Sequence, residues 1–244
     1  MPKKYTEEKL HSLIKEYITK NKMEKLYDAT FVLKYGPIKG NKNKTHYDVI
    51  AEYLYNHKEL LSNDYIRIVD RTDYKGNDLI YIQPDHLGLR TAEERRKAYK
   101  SEELFAKSLY GYKFDDLGEI IDYQMPIGDK KYGAVDLLAY NCEGVLSLVE
   151  LKREYNKETM LRAILEICTY FLQIDIEKLK NELKENGKCR EINNIRKVVL
   201  VFKNSYQHEQ YIKKESEHLR LLAKQLKVEV FIVENKFTNI TVTP

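Results

Sequence analysis

Apolar residues recur with two different periods along the chain, and these periods predict its elements. Near the N-terminus they recur at helical spacing after Thr6 and again after Thr45, which predicts two helices that each begin at a threonine cap. Strand-like runs occupy residues 30–33, 66–69 and 79–82, and the last two are joined across a turn at residues 74–77. The polar residues 36–44, bounded by glycine and proline, are predicted to break regular structure.

These elements predict a small N-terminal α+β domain that spans residues 1–88. Two helices followed by a hairpin suggest a winged-helix-like module, in which the second helix would read nucleic acid and the hairpin would be the wing. The alternative is a cap that packs on the rest of the chain and binds nothing. The pattern leaves both interpretations open.

Residues 89–244 show the alternation of helix and strand that is typical of an α/β domain. A helix is predicted over residues 91–110, a strand over 120–126, and two further strands on either side of a short turn near Gly144. A long helix over 157–186, capped by Asn156, is followed by a strand over 198–202, a helix over 207–226 and a strand over 228–233. The predicted order is α-β-β-β-α-β-α-β.

The composition narrows the class of protein. The 244 residues carry 42 Lys and Arg against 38 Asp and Glu, a formal charge of +4, and 43% of them are hydrophobic. Such a chain can bury a core, and its mild positive charge permits a nucleic-acid partner without requiring one. Three cysteines without CxxC spacing predict reduced thiols in a cytoplasmic protein. Six histidines without HxH or HExxH spacing predict that there is no zinc site, and the lack of a long apolar run predicts that there is no membrane span.

Three charged residues interrupt the two strands around Gly144. Asp136 lies inside the apolar run Ala-Val-Asp-Leu-Leu, and Glu150 and Lys152 lie inside Leu-Val-Glu-Leu-Lys. Burying an ionised group costs several kcal/mol in order of magnitude unless the group is paired or binds a metal. These positions are therefore the first candidates for chemistry.

The turn between the strands decides whether the three charges meet. Glu150 and Lys152 are two residues apart, so their side chains leave the same face of a strand. A three-residue loop that ends with Gly144 in the left-handed conformation pairs Asn141 with Val145, and this register sets Asp136 opposite Glu150. A loop of two or four residues would place the acids on opposite faces unless a bulge compensates.

Two facing carboxylates and a lysine suit the hydrolysis of a phosphodiester bond. A hard divalent cation relieves the repulsion between the carboxylates, lowers the pKa of a bound water and neutralises a phosphate oxygen. Lys152 can then orient or help deprotonate the attacking water and stabilise developing negative charge. The residues therefore predict a nuclease that uses Mg²⁺ or Mn²⁺.

The spacing of Asp136, Glu150, Leu151 and Lys152 resembles the motif of the PD-(D/E)XK nuclease superfamily, and the surrounding sequence is similar to its NucS-like and RecB-like domains. The resemblance covers about residues 91–202 and implies a restriction-endonuclease-like αβββαβ core with a central mixed sheet. It implies metal ligation by Asp136, Glu150 and the backbone carbonyl of Leu151, with Lys152 as the catalytic lysine. The chain departs from the motif at Val135, where the family often has proline.

The resemblance also implies an acid on the first helix of the core. Glu102 and Glu103 both lie there. Glu102 is three residues before Phe105, so it borders the buried face, whereas Glu103 is turned about 100° away. Glu102 is therefore the expected further catalytic and metal-ligating acid.

Four more residues are candidates for the surroundings of the metal or for phosphate binding. Glu166 and Tyr170 have the i, i+4 spacing of the Q-x-x-x-Y pattern of RecB-like members, although Glu replaces Gln, which suits a bond to Lys152 or to a metal-bound water. Arg162, one turn earlier, is expected to contact phosphate. Gln124 matches a polar position that often precedes the hairpin in the family.

We therefore expect a metal-dependent DNA nuclease that acts in repair, recombination or defence. Two alternatives stay open, namely a sequence-specific restriction-type endonuclease and a catalytically silent nucleic-acid-binding protein on the same fold. DNA is the expected partner in preference to RNA, and the chain could act as a homodimer.

Overall fold

A computed structural model describes residues 4–21, 25–34, 36–61, 80–83, 86–89, 91, 93, 102–127, 133–234 and 239–243. The helices within these ranges are α1 (Glu7–Asn21), α2 (His46–Asn56), α3 (Glu102–Ser108), α4 (Met160–Gln173), α5 (Ile176–Glu185), α6 (Tyr206–Ile212) and α7 (Glu217–Gln225). The strands are β1 (Pro37–Ile38), β2 (Asn41–Thr45), β3 (Lys113–Phe114), β4 (Gly118–Pro126), β5 (Ala134–Tyr140), β6 (Val145–Lys152), β7 (Asn194–Phe202), β8 (Val228–Glu234) and β9 (Asn239–Thr243).

In the described part of the chain, strands β3 to β9 form one mixed sheet and lie in the order of the sequence. Strands β6, β7 and β8 run parallel to one another, and the other neighbours are antiparallel. The parallel pairs need crossover connections, which α4 to α5 and α6 to α7 supply. The chain is thus an α/β protein, as predicted.

The sheet separates two apolar clusters. Residues of α4 and α7 pack with one face of the sheet, including Leu148 and Val199, while Phe105 and Leu109 pack with the other face. The central strand β7 is apolar and buried at residues 198–201, as expected for a parallel strand that is covered on both sides. Side chains on β6 therefore point alternately toward α4 and toward α3.

The N-terminal helices begin as predicted. Thr6 accepts a hydrogen bond from the amide of Lys9, and Thr45 forms a capping box with Asp48. Leu10, Ile14 and Ile18 of α1 belong to the same buried cluster as the residues of α4 and α7. Helices α1 and α2 therefore share a core with the sheet domain, whereas the division into two domains at residue 88 stays a prediction.

Other predictions for the N-terminal part are wrong or lie outside the described residues. Residues 30–33 form a turn rather than a strand, because the amides of Val32 and Leu33 both donate to the carbonyl of Ala29 instead of to a neighbouring strand. The polar segment 36–44 contains the short hairpin of β1 and β2 rather than a loop. Residues 80–82 are not in a strand, and the rest of the predicted hairpin, at residues 66–79, lies outside the described ranges.

Two predicted long helices are each interrupted. The predicted helix 157–186 begins later, at the cap Thr159 rather than at Asn156, and it breaks before α5, whose first turn is capped by Asp175. The predicted helix 207–226 divides into α6 and α7 with a 3₁₀ turn at Lys214–Ser216 between them. The short edge strands β3 and β9 were not predicted, and of the predicted helix 91–110 only α3 lies within a continuous described range.

The helix and strand order around the hairpin follows the prediction. Helix α3 precedes β4, β5 and β6, and then come α4 and β7, with the additional strand β3 before β4 and the additional helix α5 before β7. Within the described ranges, no helix combines the length and the apolar composition that crossing a bilayer requires.

Candidate active site

The turn of the β5–β6 hairpin has the predicted geometry. The amide of Asn141 donates to the carbonyl of Val145 at 3.2 Å, and the amide of Gly144 donates to the carbonyl of Asn141 at 3.1 Å. Gly144 has φ +77°, the left-handed conformation that closes a three-residue loop. Leu137 pairs with Val149, so the next position on each strand places Asp136 across from Glu150. The predicted register is confirmed.

Asp136 is held by hydrogen bonds from both neighbouring strands. The amide of Leu151 donates to its Oδ2 at 2.8 Å, and Nε2 of Gln124 donates to its Oδ1 at 2.8 Å. Gln124 lies opposite Asp136 on β4 because a bulge between Ile120 and Asp122 sets that register. Gln124 also has φ +47°, a conformation that a residue other than glycine rarely adopts. The irregular strand thus aims an amide at the carboxylate.

A buried ion pair beside Gln124 fixes the bulged strand. The Asp122 carboxylate is fully buried, and Lys188 Nζ lies 3.3 Å from its Oδ2. Nδ1 of His86 lies 2.7 Å from its Oδ1, and the His86 ring stacks on Tyr123. This pair anchors β4 just before Gln124, and no local pattern in the sequence indicates it.

Lys152 lies among three carboxylates. Its Nζ is 2.7 Å from Glu150 Oε1, 2.7 Å from Glu158 Oε2 and 3.2 Å from Glu166 Oε2. An ammonium has three N–H donors, so these contacts saturate it. The side chains of Lys152 and Glu150 are each 4% exposed, whereas that of Glu158 is 33% exposed. Glu158 is therefore the partner nearest to solvent.

The helical candidates Arg162, Glu166 and Tyr170 join the same network. The hydroxyl of Tyr170 donates to Glu166 Oε1 at 2.9 Å, and Arg162 Nη2 lies 3.7 Å from that same oxygen. Arg162 also pairs with Glu158 and, at 3.0 Å, with Asp28. The Arg162 guanidinium is thus engaged by carboxylates in this structure, and its contact with phosphate stays a prediction.

Burial and charge shift the pKa values of the site in opposite directions. Burial raises the pKa of Asp136 to about 6, against the opposing charge of Lys152. Burial, together with the charge of Asp136, raises the pKa of Glu150 well above its usual range. Burial alone would lower the pKa of Lys152, but the charges of Glu150, Glu166 and Asp136 raise it. Lys152 is therefore an ammonium at neutral pH. Its charge and that of Arg162 lower the pKa of Glu166, whereas the pKa values of Asp136 and Glu150 stay raised because burial outweighs the charge of Lys152.

The predicted metal ligands are assembled in part. In the described ranges, no three His, Cys, Asp or Glu side chains are grouped closely enough to hold a metal. Glu150 Oε2 is nevertheless buried without a hydrogen-bond partner among the described residues. Two carboxylates with an unsatisfied oxygen fit a cation such as Mg²⁺, which binds through one or two carboxylates and fills its other positions with water and substrate phosphate.

The helix acid is near the site but stands apart from the pair of carboxylates. Glu102 is exposed at the first residue of α3, and its charge helps to raise the pKa of Asp136. Glu103, the next residue, is also exposed and is not among the main causes of that shift. The structure thus brings the charge of Glu102 toward Asp136.

Sequence reasoning missed Glu158 and Asp28. Glu158 extends the stripe of Arg162, Glu166 and Tyr170 by one further interval of four residues, so the same spacing could have identified it. Asp28 is separated from Arg162 by 134 positions, and no local pattern predicts that contact.

A surface pocket is lined by residues that follow Lys152 in sequence, starting two positions after it at Glu154. It has a volume of about 390 Å³, mostly apolar walls, and is lined by Glu154, Tyr155, Asn156, Lys157 and Tyr206. Tyr155 is 82% exposed. The buried side chain of Gln207 holds one wall by donating to the carbonyls of Asn156 and Glu158 at 3.0 and 2.8 Å.

Comparisons with family models, with curated proteins and with solved structures give no match to this chain. The case for a function therefore comes from the residues of the site. It consists of two facing carboxylates, a lysine that is held by three acids, and an exposed aromatic side chain nearby.

Proposed function

We propose that this chain is a metal-dependent nuclease that hydrolyses DNA phosphodiester bonds. One observation carries the proposal: Asp136, Glu150 and Lys152 are buried together where the two strands of the hairpin face each other. Buried charges of this kind cost stability, so a fold without a use for them would be more stable with apolar residues. Repair, recombination and defence are the roles that suit such an activity.

The element order supports the assignment of a restriction-endonuclease-like core. Apart from the short strand β3 and helix α5, which are inserted in it, the order α3, β4, β5, β6, α4 and β7 around a mixed sheet is the order that the PD-(D/E)XK resemblance implies. The charged residues lie on its second and third core strands, β5 and β6. The resemblance and the geometry therefore point to the same side chains.

Asp136 and Glu150 would hold the metal, with the carbonyl of Leu151 beside them. When bound, Mg²⁺ or Mn²⁺ would lower the pKa of a water and neutralise charge on the phosphate. The chain prepares for this by holding Asp136 with Gln124 and the Leu151 amide, while Glu150 Oε2 has no hydrogen-bond partner within the described ranges. Glu102 would contribute through its charge or through a bridging water.

Lys152 would act as a charged donor and not as a base. Its pKa is raised, so it carries a proton at neutral pH and stabilises negative charge that develops on the phosphate oxygens. A phosphate that approaches Lys152 has to displace one of its three carboxylate partners. Glu158 is the most exposed of the three and is the side chain expected to give way.

The pocket beside the site supports a nucleic-acid substrate. Aromatic side chains bind nucleobases by stacking, with little dependence on sequence. Tyr155 is exposed at the pocket and Lys157 lies at its rim, so a base can contact the ring while its phosphate faces a positive charge. This arrangement favours DNA in which at least one base is unstacked.

The test is an incubation of the purified protein with single-stranded, duplex and branched DNA and with RNA, in Mg²⁺, in Mn²⁺ or in EDTA. Cleavage that requires metal and is lost in Lys152→Ala and Asp136→Asn supports the proposal. Cleavage that persists in EDTA or in both variants contradicts the mechanism. Cleavage at one short sequence would favour the restriction-type alternative, and binding without cleavage in every metal would favour the silent nucleic-acid-binding protein.

A further inference from the structure

The 3₁₀ turn Leu26–Asp28 packs directly on helix α4 beside the candidate active site. Leu26 and Tyr27 are buried in the cluster that contains Leu161 and Ile164 of α4. The turn lies between helices α1 and α2 in sequence, in the region where a separate reading domain was predicted. Its position gives the N-terminal part of the chain a contact with the network around Lys152.

Asp28 is the first link of this contact. Its Oδ1 lies 3.0 Å from Arg162 Nη2, and the Arg162 guanidinium lies over the Tyr27 ring, 5.8 Å from the centroid. Arg162 also pairs with Glu158 and lies 3.7 Å from Glu166. A planar guanidinium presents five N–H donors in a rigid fork, so Arg162 can contact several carboxylates in a fixed geometry, whereas a lysine ammonium is a point charge on a flexible stem.

Tyr27 supplies a second link. Its ring meets the ring of Tyr170 edge-on at 5.7 Å, and the Tyr170 hydroxyl donates to Glu166 Oε1 at 2.9 Å. A Cβ atom on Gly133 would lie 2.5 Å from that hydroxyl, so the backbone of Gly133 confines Tyr170 from the other side. Tyr170 is thereby held between the N-terminal turn and the start of β5.

Both links end at Lys152. Of the three carboxylates around its Nζ, Glu158 is held by Arg162, and Glu166 is held by Arg162 and Tyr170. The turn Leu26–Asp28 holds Arg162 and Tyr170 in turn. The position of the ammonium therefore depends on residues that are more than a hundred positions away in sequence.

We propose that Asp28 and Tyr27 are positioning residues of the Lys152 site, which act through Arg162 and Tyr170. The N-terminal part of the chain then completes the active site, in addition to any role in binding nucleic acid. The effect on catalysis rests on the proposed nuclease function, whereas the effect on Lys152 itself does not.

The test compares wild-type protein with Asp28→Ala and Arg162→Lys. Glu7→Ala is the control, because it removes another N-terminal ion pair, Glu7 with Lys44 at 3.0 Å, that lies outside the Lys152 network. Each full-length protein is trace-labelled with acetic anhydride in EDTA, and acetylation of Lys152 is followed by peptide mass spectrometry. The labelling rate reports local opening around a side chain that is otherwise buried.

We expect Lys152 to be labelled at least about three times faster in Asp28→Ala and Arg162→Lys than in wild-type protein, with Glu7→Ala unchanged. For DNA cleavage, we expect kcat to fall about tenfold in Asp28→Ala with KM within about twofold of wild type, because the lysine is misplaced while the substrate surface is intact.

Equal labelling of Lys152 in wild-type protein and both variants would overturn the inference, as would an equal increase in Glu7→Ala. If Arg162→Lys does not fold, Asp28→Ala decides, since the Asp28 side chain is 46% exposed. If wild-type protein cleaves no nucleic acid, the proposed function fails and the labelling still decides whether the turn positions Lys152.

Discussion

Asp136 is predicted to destabilise the fold in which it lies. Asp136 is 8% exposed, and burial raises its pKa from 3.8 to about 6. Asp136→Asn keeps the shape of the side chain and removes the charge. The amide of this variant can accept from the Leu151 amide and donate to Gln124 once the Gln124 amide turns over, so both existing hydrogen bonds can be kept.

The size of the effect follows from the pKa shift. A rise from 3.8 to about 6 corresponds to about 3 kcal/mol of unfavourable ionisation in the folded state. Below both pKa values the carboxyl is protonated in the folded and the unfolded chain. As the pH rises, the unfolded chain loses the proton first, so stability is lost between about pH 4 and about pH 6 and stays low above that window. Asp136→Asn should therefore raise the unfolding free energy near neutral pH by roughly 1–3 kcal/mol.

The assay is urea unfolding in EDTA, near neutral pH and near pH 4, for wild-type protein and Asp136→Asn. The advantage of the variant should shrink at the lower pH. Asp122→Asn is the matched control, because this buried carboxylate on β4 faces Lys188 and His86, and its loss should destabilise the fold by roughly 3 kcal/mol.

A variant Asp136→Asn that is less stable than wild-type protein near neutral pH would refute this reasoning. So would a gain that does not depend on pH. Either result would mean that Asp136 is a satisfied structural carboxylate. The basis for assigning it a metal would then be removed.

Two further predictions concern neighbouring positions. Gly118→Ala should destabilise the fold by at least about 2 kcal/mol more than Gly111→Ala in urea unfolding. Both glycines have positive φ, but of the two only Gly118 would bring its new Cβ into a clash, with the carbonyl oxygen of Tyr140. Equal losses of unfolding free energy would contradict the geometry of β4. Glu102→Gln should slow metal-dependent cleavage about tenfold, and Glu103→Gln should slow it by less than about twofold. The reason is that Glu102, unlike Glu103, is among the main charges that act on Asp136. A larger loss of cleavage in Glu103→Gln would mean that Glu103 is the helix acid of the site.

The hairpin could be predicted from sequence because its signals are local. Continuous apolar runs mark the two strands, and a three-residue loop that ends with Gly144 in the left-handed conformation is the loop length, among those the sequence allows, that sets Asp136 opposite Glu150. The i, i+4 spacing on α4 likewise brings Glu166 and Tyr170 to one flank, where they contact each other. These predictions needed no knowledge of distant contacts.

The helix breaks were missed because the apolar ridge continues through them. Ile174 and Leu179 extend the spacing of α4 into α5, although Asp175 caps a new helix between them. An Asp at this position, with an acid in the turn that follows, is a helix-start signal, which the longer periodicity concealed. The break directs α5 away from α4, toward Tyr81 and Ile82, whose amides donate to Glu182.

The long-range contacts of the site could not have been predicted from spacing. Asp28 reaches Arg162, and Lys188 reaches Asp122, across long stretches of sequence. Only the packing of the turn Leu26–Asp28 on α4, and of the loop after α5 on β4, creates these pairs. The central trio is thus a local feature of sequence, whereas the network that holds it is a property of the fold.

The most direct test of the central claim is the rate of DNA cleavage by wild-type protein in Mg²⁺ and in EDTA, measured beside Lys152→Ala and Asp136→Asn. We predict cleavage by wild-type protein in Mg²⁺ that stops in EDTA, and a loss of at least about a hundredfold in both variants. Asp136→Asn should be inactive while being more stable than wild-type protein, which separates loss of chemistry from loss of fold. Metal-independent cleavage, or equal cleavage by wild-type protein and both variants, would contradict the account.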